Sequence, residues 1–264
     1  MIDAHVHLWR IGQNDCTWPT AQEAAIHRDF EIAELIATLD ANGVDRAVLV
    51  QSQESPRDTD WLLDLACDSD RIAGVVGWAD LRDAAAVVER AHDAMLVGLR
   101  PMVQGRAADW YDDPALDAGF AAMAEHGLVF DALIRPRHLP SLARLAARHP
   151  KLAIVVDHAA KPEGLPQWRE AMAPLAGCEN VGVKLSGLLS EIRVDDVTDA
   201  VGTLLASFGA ERLIWGSDWP VLTMADSYSG WLDMARTLIP ADDHEAVFGG
   251  NAARLYGLRE PAHG

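Results

Sequence analysis

The chain has 264 residues, 50% of them hydrophobic and 23% charged, with 40 acidic side chains against 22 Lys and Arg and a formal net charge of −18. That is the make-up of a globular protein with a sizeable core. Its acidity, unrelieved by any basic run, argues against nucleic acid and anionic membranes as partners. No apolar run is long enough to span a bilayer. Cys16, Cys67 and Cys178 are scattered and odd in number, so they form neither a disulfide framework nor a zinc knuckle. With no signal-like start, the expectation is a cytoplasmic protein with reduced thiols, a monomer or homodimer.

The first element is a strand, Ile2-Asp3-Ala4-His5-Val6-His7-Leu8-Trp9, in which alternation puts Asp3, His5 and His7 on one face. A long loop over 10–29 follows. Asp29 reads as the N-cap of a helix carrying Ile32, Leu35, Ile36 and Leu39, and Gly43 stands where that helix should stop. Arg46 to Gln51 reads as a buried strand. The unit then repeats: a helix opened by Asp58, a strand over 72–79, a helix over 84–95, a strand over 96–102, a helix around 115–126 and a strand over 128–134. A helix over 138–149, a strand over 153–158, a helix over 166–176, a strand over 181–186 and a helix over 195–208 come next. The last strand covers 213–218, and helices over 228–238 and 242–256 finish the chain.

Eight apolar strands alternating with helices predict a single-domain (β/α)₈ barrel over residues 1–264. A doubly wound open sheet is the alternative, weakened by the lack of a Gly-x-Gly-x-x-Gly turn. In such a barrel the site lies at the C-terminal strand ends. Those positions carry His5 and His7, Gln51, Trp78, Arg100, Asp131, His158, Lys184 with Ser186, and Asp218, while the strand middles are Val, Ile, Leu and Ala. Strict alternation allows only one of Asp157 and His158 to face the lumen, and the reading favours His158. Other chemistries find no support: there is no Gly-x-Ser-x-Gly elbow and no phosphate-cradling loop, and His244-Glu245 lacks the second histidine of a zincin.

The combination and order of these segments resemble the amidohydrolase superfamily, and more closely its lactonase branch. The residues that carry the likeness are 2–9, Gly-Leu-Arg-Pro at 98–101, Val-Phe-Asp-Ala-Leu at 129–133, Val-Asp-His-Ala-Ala-Lys-Pro at 156–162, Val-Lys-Leu-Ser-Gly at 183–187, Trp-Gly-Ser-Asp-Trp-Pro at 215–220 and Asn-Ala-Ala-Arg-Leu-Tyr at 251–256. The resemblance implies hydrolysis of a small-molecule lactone, with a sugar lactone as the first expectation. Asp218 would be the general base, and His5, His7 and His158 would polarise the carbonyl or hold a metal that does. Gln51, Arg100, Lys184 and Asp131 would bind substrate, and Trp9 and Trp219 would offer flat faces to a sugar ring. Where metal-rich relatives place a lysine on strand four or a histidine on strand five, this chain has Arg100 and Asp131. One divalent ion, zinc by expectation, on His5, His7 and Asp218 therefore stands beside metal-free catalysis. A lactonase for an anionic aromatic-degradation product held by Arg100, Arg135 and Arg137, a metal-dependent decarboxylase and a non-enzymatic binding barrel are the other readings.

Overall fold

Eight parallel strands, hydrogen-bonded in chain order, form the sheet of the computed structural model, which describes residues 1–259. They are β1 (Ile2–Val6), β2 (Arg46–Val50), β3 (Ile72–Gly77), β4 (Leu96–Leu99), β5 (Val129–Ala132), β6 (Ile154–Val156), β7 (Val181–Leu185) and β8 (Leu213–Trp215). The helices are α1 (Ile32–Ala41), α2 (Pro56–Cys67), α3 (Ala84–Arg90), α4 (Asp117–Glu125), α5 (Leu139–Arg148), α6 (Leu165–Ala176), α7 (Leu188–Glu191), α8 (Val194–Phe208), α9 (Tyr228–Leu238) and α10 (Asn251–Leu255). The (β/α)₈ barrel is thus the observed fold. Among the described residues no helix is long and apolar enough to cross a membrane.

Most strands alternate as a barrel demands, but β1 shifts register between Asp3 and Val6, so Ile2 and Ala4 share the lumen with His5 while Asp3 turns to Tyr228 of α9, against the single face expected for Asp3, His5 and His7. One set of side chains, including Ile2, Ala4, Val48, Val50, Val76, Val129, Val155 and Ile214, packs in the lumen. The other set, with Leu49, Phe130, Val183 and Trp215, meets the helices outside. Tyr256, just past α10, belongs to the luminal cluster and plugs the barrel from the N-terminal end of the strands.

His5, Asp131 and Lys184 lie within β1, β5 and β7, whereas His7, Gln51, Trp78, Arg100, His158, Ser186 and Asp218 stand on the first turns beyond their strands. Two helix starts differ from expectation. Asp29 does not cap α1; its carboxylate accepts from the Ile11 N–H at 2.7 Å and ties down the 10–29 loop instead. Ser55, not Asp58, caps α2, with Pro56 at the first helical position. The expected helix over 242–256 is broken, because Gly249 leaves the helical backbone before α10 begins.

Candidate active site

The ends of the chain meet at the seam between β1 and β8. Val6 bridges to Trp219, the Asp218 N–H donates to the His5 carbonyl at 2.9 Å, and the His7 N–H donates to the Trp219 carbonyl at 2.8 Å. Asp3 locks this seam from the side of α9. Its carboxylate accepts from the Ser217 N–H at 2.9 Å and from the Tyr228 hydroxyl at 2.8 Å. Burial pushes Asp3 up to about 6, so its negative charge is held at some cost by those donors.

That seam brings three ligand-type side chains together. The His5 and His7 Nε2 atoms are 3.1 Å apart, and Asp218 Oδ1 lies 3.3 Å from His7 Nε2 and 3.6 Å from His5 Nε2. His7 Nδ1 sits 2.7 Å from the Val50 carbonyl, an acceptor only, so its proton is on Nδ1 and its Nε2 lone pair faces the cluster. Asp218 occupies the left-handed region at φ 62°, an uncommon conformation for a non-glycine residue. Burial alone would raise its pKa, but the rings of His158, His7 and His5 outweigh that and hold it well below the usual carboxylate range. It is ionised at neutral pH.

The β6 end departs from the alternation the sequence suggested. His158, Ala159, Ala160 and Lys161 form a left-handed run at φ 52°, 49°, 62° and 53°. Each L-residue there costs roughly 1–2 kcal/mol. The turn swings both Asp157 and His158 to the site, so the choice between them is overturned: Asp157 Oδ1 lies 3.5 Å from His5 Nδ1, and the His158 ring centroid is 4.7 Å from that of His5. His158 Nδ1 is 2.9 Å from the Ser186 hydroxyl. Gly187, at φ 61°, leaves room for this, since a Cβ there would come within 2.5 Å of His158 Nδ1. Burial pulls His158 down to about 4, which keeps the ring neutral.

Exposure sorts the remaining groups by depth. Only His7, His158, Asp218 and Arg100 keep a sliver of solvent contact, 3–5%, whereas Gln51, Asp131, Asp157, Lys184 and His5 have none. The residues expected to bind substrate are therefore mostly support. Gln51 donates to the Arg100 carbonyl at 2.5 Å and its own carbonyl accepts from Arg100 Nη2. Lys184 pairs with Asp131, lies 3.1 Å from Asp157 Oδ1 and stands 3.2 Å from His5 Nδ1. Arg100 Nη1 stands between Asp157 Oδ2 at 3.3 Å and His5 Nε2 at 3.4 Å. Trp9 is fully buried against Trp18 and Phe30, with its indole N–H on the Arg28 carbonyl, and Trp219 packs edge-on against Phe30. Trp9 has no face free for a ligand. Trp78 turns outward into a groove it shares with Asp60, Asp64 and Arg90.

The amidohydrolase family pattern matches residues 2–258. The chain belongs to the amidohydrolase family. An L-fucono-1,5-lactonase of Burkholderia ambifaria is 44% identical over 99% of this chain and 97% of its own. An L-fucono-1,5-lactonase of Burkholderia multivorans is 35% identical with the same coverage, 99% and 97%. A crystal structure of a Burkholderia multivorans amidohydrolase with bound zinc superposes with a TM-score of 0.92 at 34% identity, covering 98% of this chain and 99% of that one.

The donor set of this amidohydrolase suits a divalent ion. His5 Nε2, His7 Nε2 and Asp218 Oδ1 are separated by 3.1, 3.3 and 3.6 Å. Ligand atoms bound at the usual zinc distances in a tetrahedron stand about 3.3 Å apart. Two imidazoles and one carboxylate are zinc chemistry. Among the described residues the ion-pair partners of Asp218 are the imidazoles of His5 and His7, so a cation there would meet an ionised carboxylate with no Lys or Arg already paired to it. Asp157 Oδ1, which receives no well-directed hydrogen bond, is placed to accept from His5 Nδ1 when His5 ligates through Nε2.

Proposed function

We propose that this protein opens the ring of a sugar lactone, L-fucono-1,5-lactone or a close relative, to the hydroxy acid. The observation that carries the reading is Asp218: an ionised carboxylate at the barrel mouth, edged by the His7 ring, the neutral imidazole of His158 and Arg100, within a chain 44% identical over its length to an L-fucono-1,5-lactonase. Asp218 takes a proton from water as the water oxygen adds to the lactone carbonyl carbon. When the bond from that carbon to the ring oxygen breaks, the protonated carboxyl returns the proton to the departing oxygen. His158 and Arg100 are the mouth groups that orient the substrate and stabilise the oxyanion. His5, His7 and Asp218 would hold a zinc ion, which when bound polarises a carbonyl and acidifies water.

A neutral lactone fits better than an anionic one. Arg135 is paired with Glu163, and Arg137 donates to the carbonyls of Gln104 and Arg106. Arg100 is thus the single guanidinium of the three that reaches the site. We extend the same reading to a single barrel domain acting in the cytoplasm as a monomer or homodimer. The test is a pH-indicator assay on L-fucono-, L-galactono-, L-rhamnono- and D-arabinonolactones. Turnover of one of them with kcat/KM of about 10⁴ M⁻¹s⁻¹ or more is expected. Rates no faster than spontaneous hydrolysis for all four would overturn the reading.

A further inference from the structure

Beside the mouth a cavity of about 400 Å³ opens among the loops that follow β1, β2 and β4, a size within the range of small-ligand pockets. The first loop gives it Asp15 and Trp18, the second Ser52, Gln53 and Glu54, and the third Met102. It therefore starts one residue beyond Gln51 and two beyond Arg100, on the catalytic face of the barrel. Trp18 packs edge-on against Trp9 with ring centroids 5.4 Å apart, and Trp9 in turn lies 6.5 Å from the His7 ring. Hydrogen bonds fix these walls. The buried Gln53 carboxamide accepts from the Thr17 N–H at 3.0 Å and donates to the Trp18 carbonyl at 2.6 Å. The Ser52 N–H donates to the buried Asp58 carboxylate at 3.2 Å. Asp15 accepts from the Ser55 hydroxyl at 2.7 Å, and Glu54 accepts from the Met102 N–H at 3.0 Å and from Arg106 at 2.8 Å.

These bonds leave capacity unspent. Ser52 is 2% exposed and accepts from Gln53 Nε2 at 3.2 Å, but its own O–H meets no acceptor among the described residues. Neither does the indole N–H of the half-buried Trp18. Each carboxylate oxygen of Asp15 and Glu54 receives one donor and keeps a lone pair. Among the described residues no Lys or Arg lines the cavity, and the guanidiniums nearest to it, Arg57 and Arg106, are already paired with those two carboxylates.

We propose that this cavity is a polyol subsite, which takes the hydroxylated end of the substrate remote from the lactone carbonyl, with Trp18 against its C–H face and Ser52 and Glu54 on its hydroxyls. The inference rests on the lactonase reading for its substrate and adds which residues choose among lactones. A hydroxyl group donates and accepts at once, so it uses both the free donors of Ser52 and Trp18 and the free lone pairs of Glu54 and Asp15. An anionic substituent has no donor to offer and would face two carboxylates without a free cation. The indole supplies a flat apolar wall with a polar edge. None of these residues belongs to the cluster of His5, His7 and Asp218, so they act on which lactone binds and not on the proton transfers.

The test is steady-state kinetics of Trp18→Ala and Ser52→Ala on L-fucono-1,5-lactone and L-galactono-1,5-lactone, which differ by a methyl against a hydroxymethyl at that end. KM should rise about tenfold in Trp18→Ala and about fivefold in Ser52→Ala, with kcat within about threefold of the parent. The preference between the two lactones should change by about fivefold or more in Trp18→Ala. KM values within about twofold of the parent for both lactones in both variants would overturn the proposal, and so would a loss confined to kcat. If Trp18→Ala does not fold, Ser52→Ala is read by the same measurements and decides alone. If the parent turns over no lactone, the substrate reading falls, and saturation-transfer NMR with L-fucose decides the subsite by itself. A signal present in the parent and lost in the variants supports it. No signal in the parent, or one that survives the substitutions, overturns it.

Discussion

The Nε2 atoms of His5 and His7 face each other at 3.1 Å with Asp218 Oδ1 beside both. Two imidazole nitrogens and a carboxylate oxygen at such separations are held either by a shared proton or by a shared cation. The His7 proton is committed to Val50 on the other side of its ring, so His7 enters either arrangement only as a lone pair.

Zinc binding should therefore depend on His7 more sharply than folding does. His7→Ala is expected to lower zinc affinity by at least about 100-fold, because one of three ligands is lost. Its melting temperature should stay within a few degrees of the parent, since a nearly buried imidazole is replaced in a site already lined by polar groups. Equilibrium dialysis with metal quantification checks the first statement. Parent-like zinc affinity in the variant would remove His7 from the ligand set.

Asp218→Asn keeps the side-chain shape and the backbone bond to the His5 carbonyl, so the seam between β1 and β8 should survive. The amide cannot take a proton from water. A loss of about 10³-fold or more in kcat, with an unchanged circular dichroism spectrum, is expected. A variant with a tenth or more of the parent rate would show that the base is another group.

The barrel itself was legible because buried parallel strands leave uninterrupted apolar runs, and β2, β3 and β6 have them. Closure of such a barrel places strand one beside strand eight, which is why His5, His7 and Asp218 could be grouped although 211 or more positions separate Asp218 from them. What the sequence hid is depth. Lys184, Asp131 and Gln51 share the luminal face with Arg100, but no residue pattern says that the first three are roofed over by the others. Alternation also fails at His158, because four successive left-handed residues replace the strand, and Ala159, Ala160 and Lys161 carry no residue-type signal for that conformation. Tyr256 closes a recognisable motif at 251–256, yet its reach through the lumen to Asp131 depends on the broken helix before α10.

The left-handed turn makes Gly187 a sensitive position. Gly187→Ala puts an L-residue at φ 61° and a Cβ within 2.5 Å of His158 Nδ1. The backbone term alone is roughly 1–2 kcal/mol. The displaced imidazole loses its Ser186 contact, so a fall of about tenfold in kcat/KM should accompany the lost stability. Urea unfolding and steady-state kinetics read the two effects separately. Full activity in a destabilised variant would show that the His158–Ser186 contact is dispensable.

Activity should be insensitive to His158 across the neutral range. Burial lowers its pKa to about 4, so the ring is neutral from about pH 5 upward and becomes an imidazolium only below that value. The acid limb of kcat/KM is accordingly expected near pH 4, well below the ordinary histidine value of about 6.5. A limb at pH 6–7 that disappears in His158→Gln would place the His158 titration where an exposed imidazole has it.

Stability offers a check outside the reaction. Asp58, buried in the first turn of α2, is pushed up to about 7 by burial, against which the backbone N–H groups of Ser52 and Gln53 and the charge of Arg100 pull only partly. Between about pH 4, where the unfolded carboxyl ionises, and about pH 7 the folded chain binds more protons at this site than the unfolded one. Stability from Asp58 is therefore present in full below that window and lost as pH rises through it. Asp58→Asn mimics the protonated form and can still accept from Ser52. Its advantage over the parent should widen by about 2 kcal/mol between roughly pH 5.5 and pH 8. Urea unfolding of both proteins at the two pH values measures this. An advantage that stays constant, or shrinks, would mean that Asp58 is ionised in the folded protein throughout.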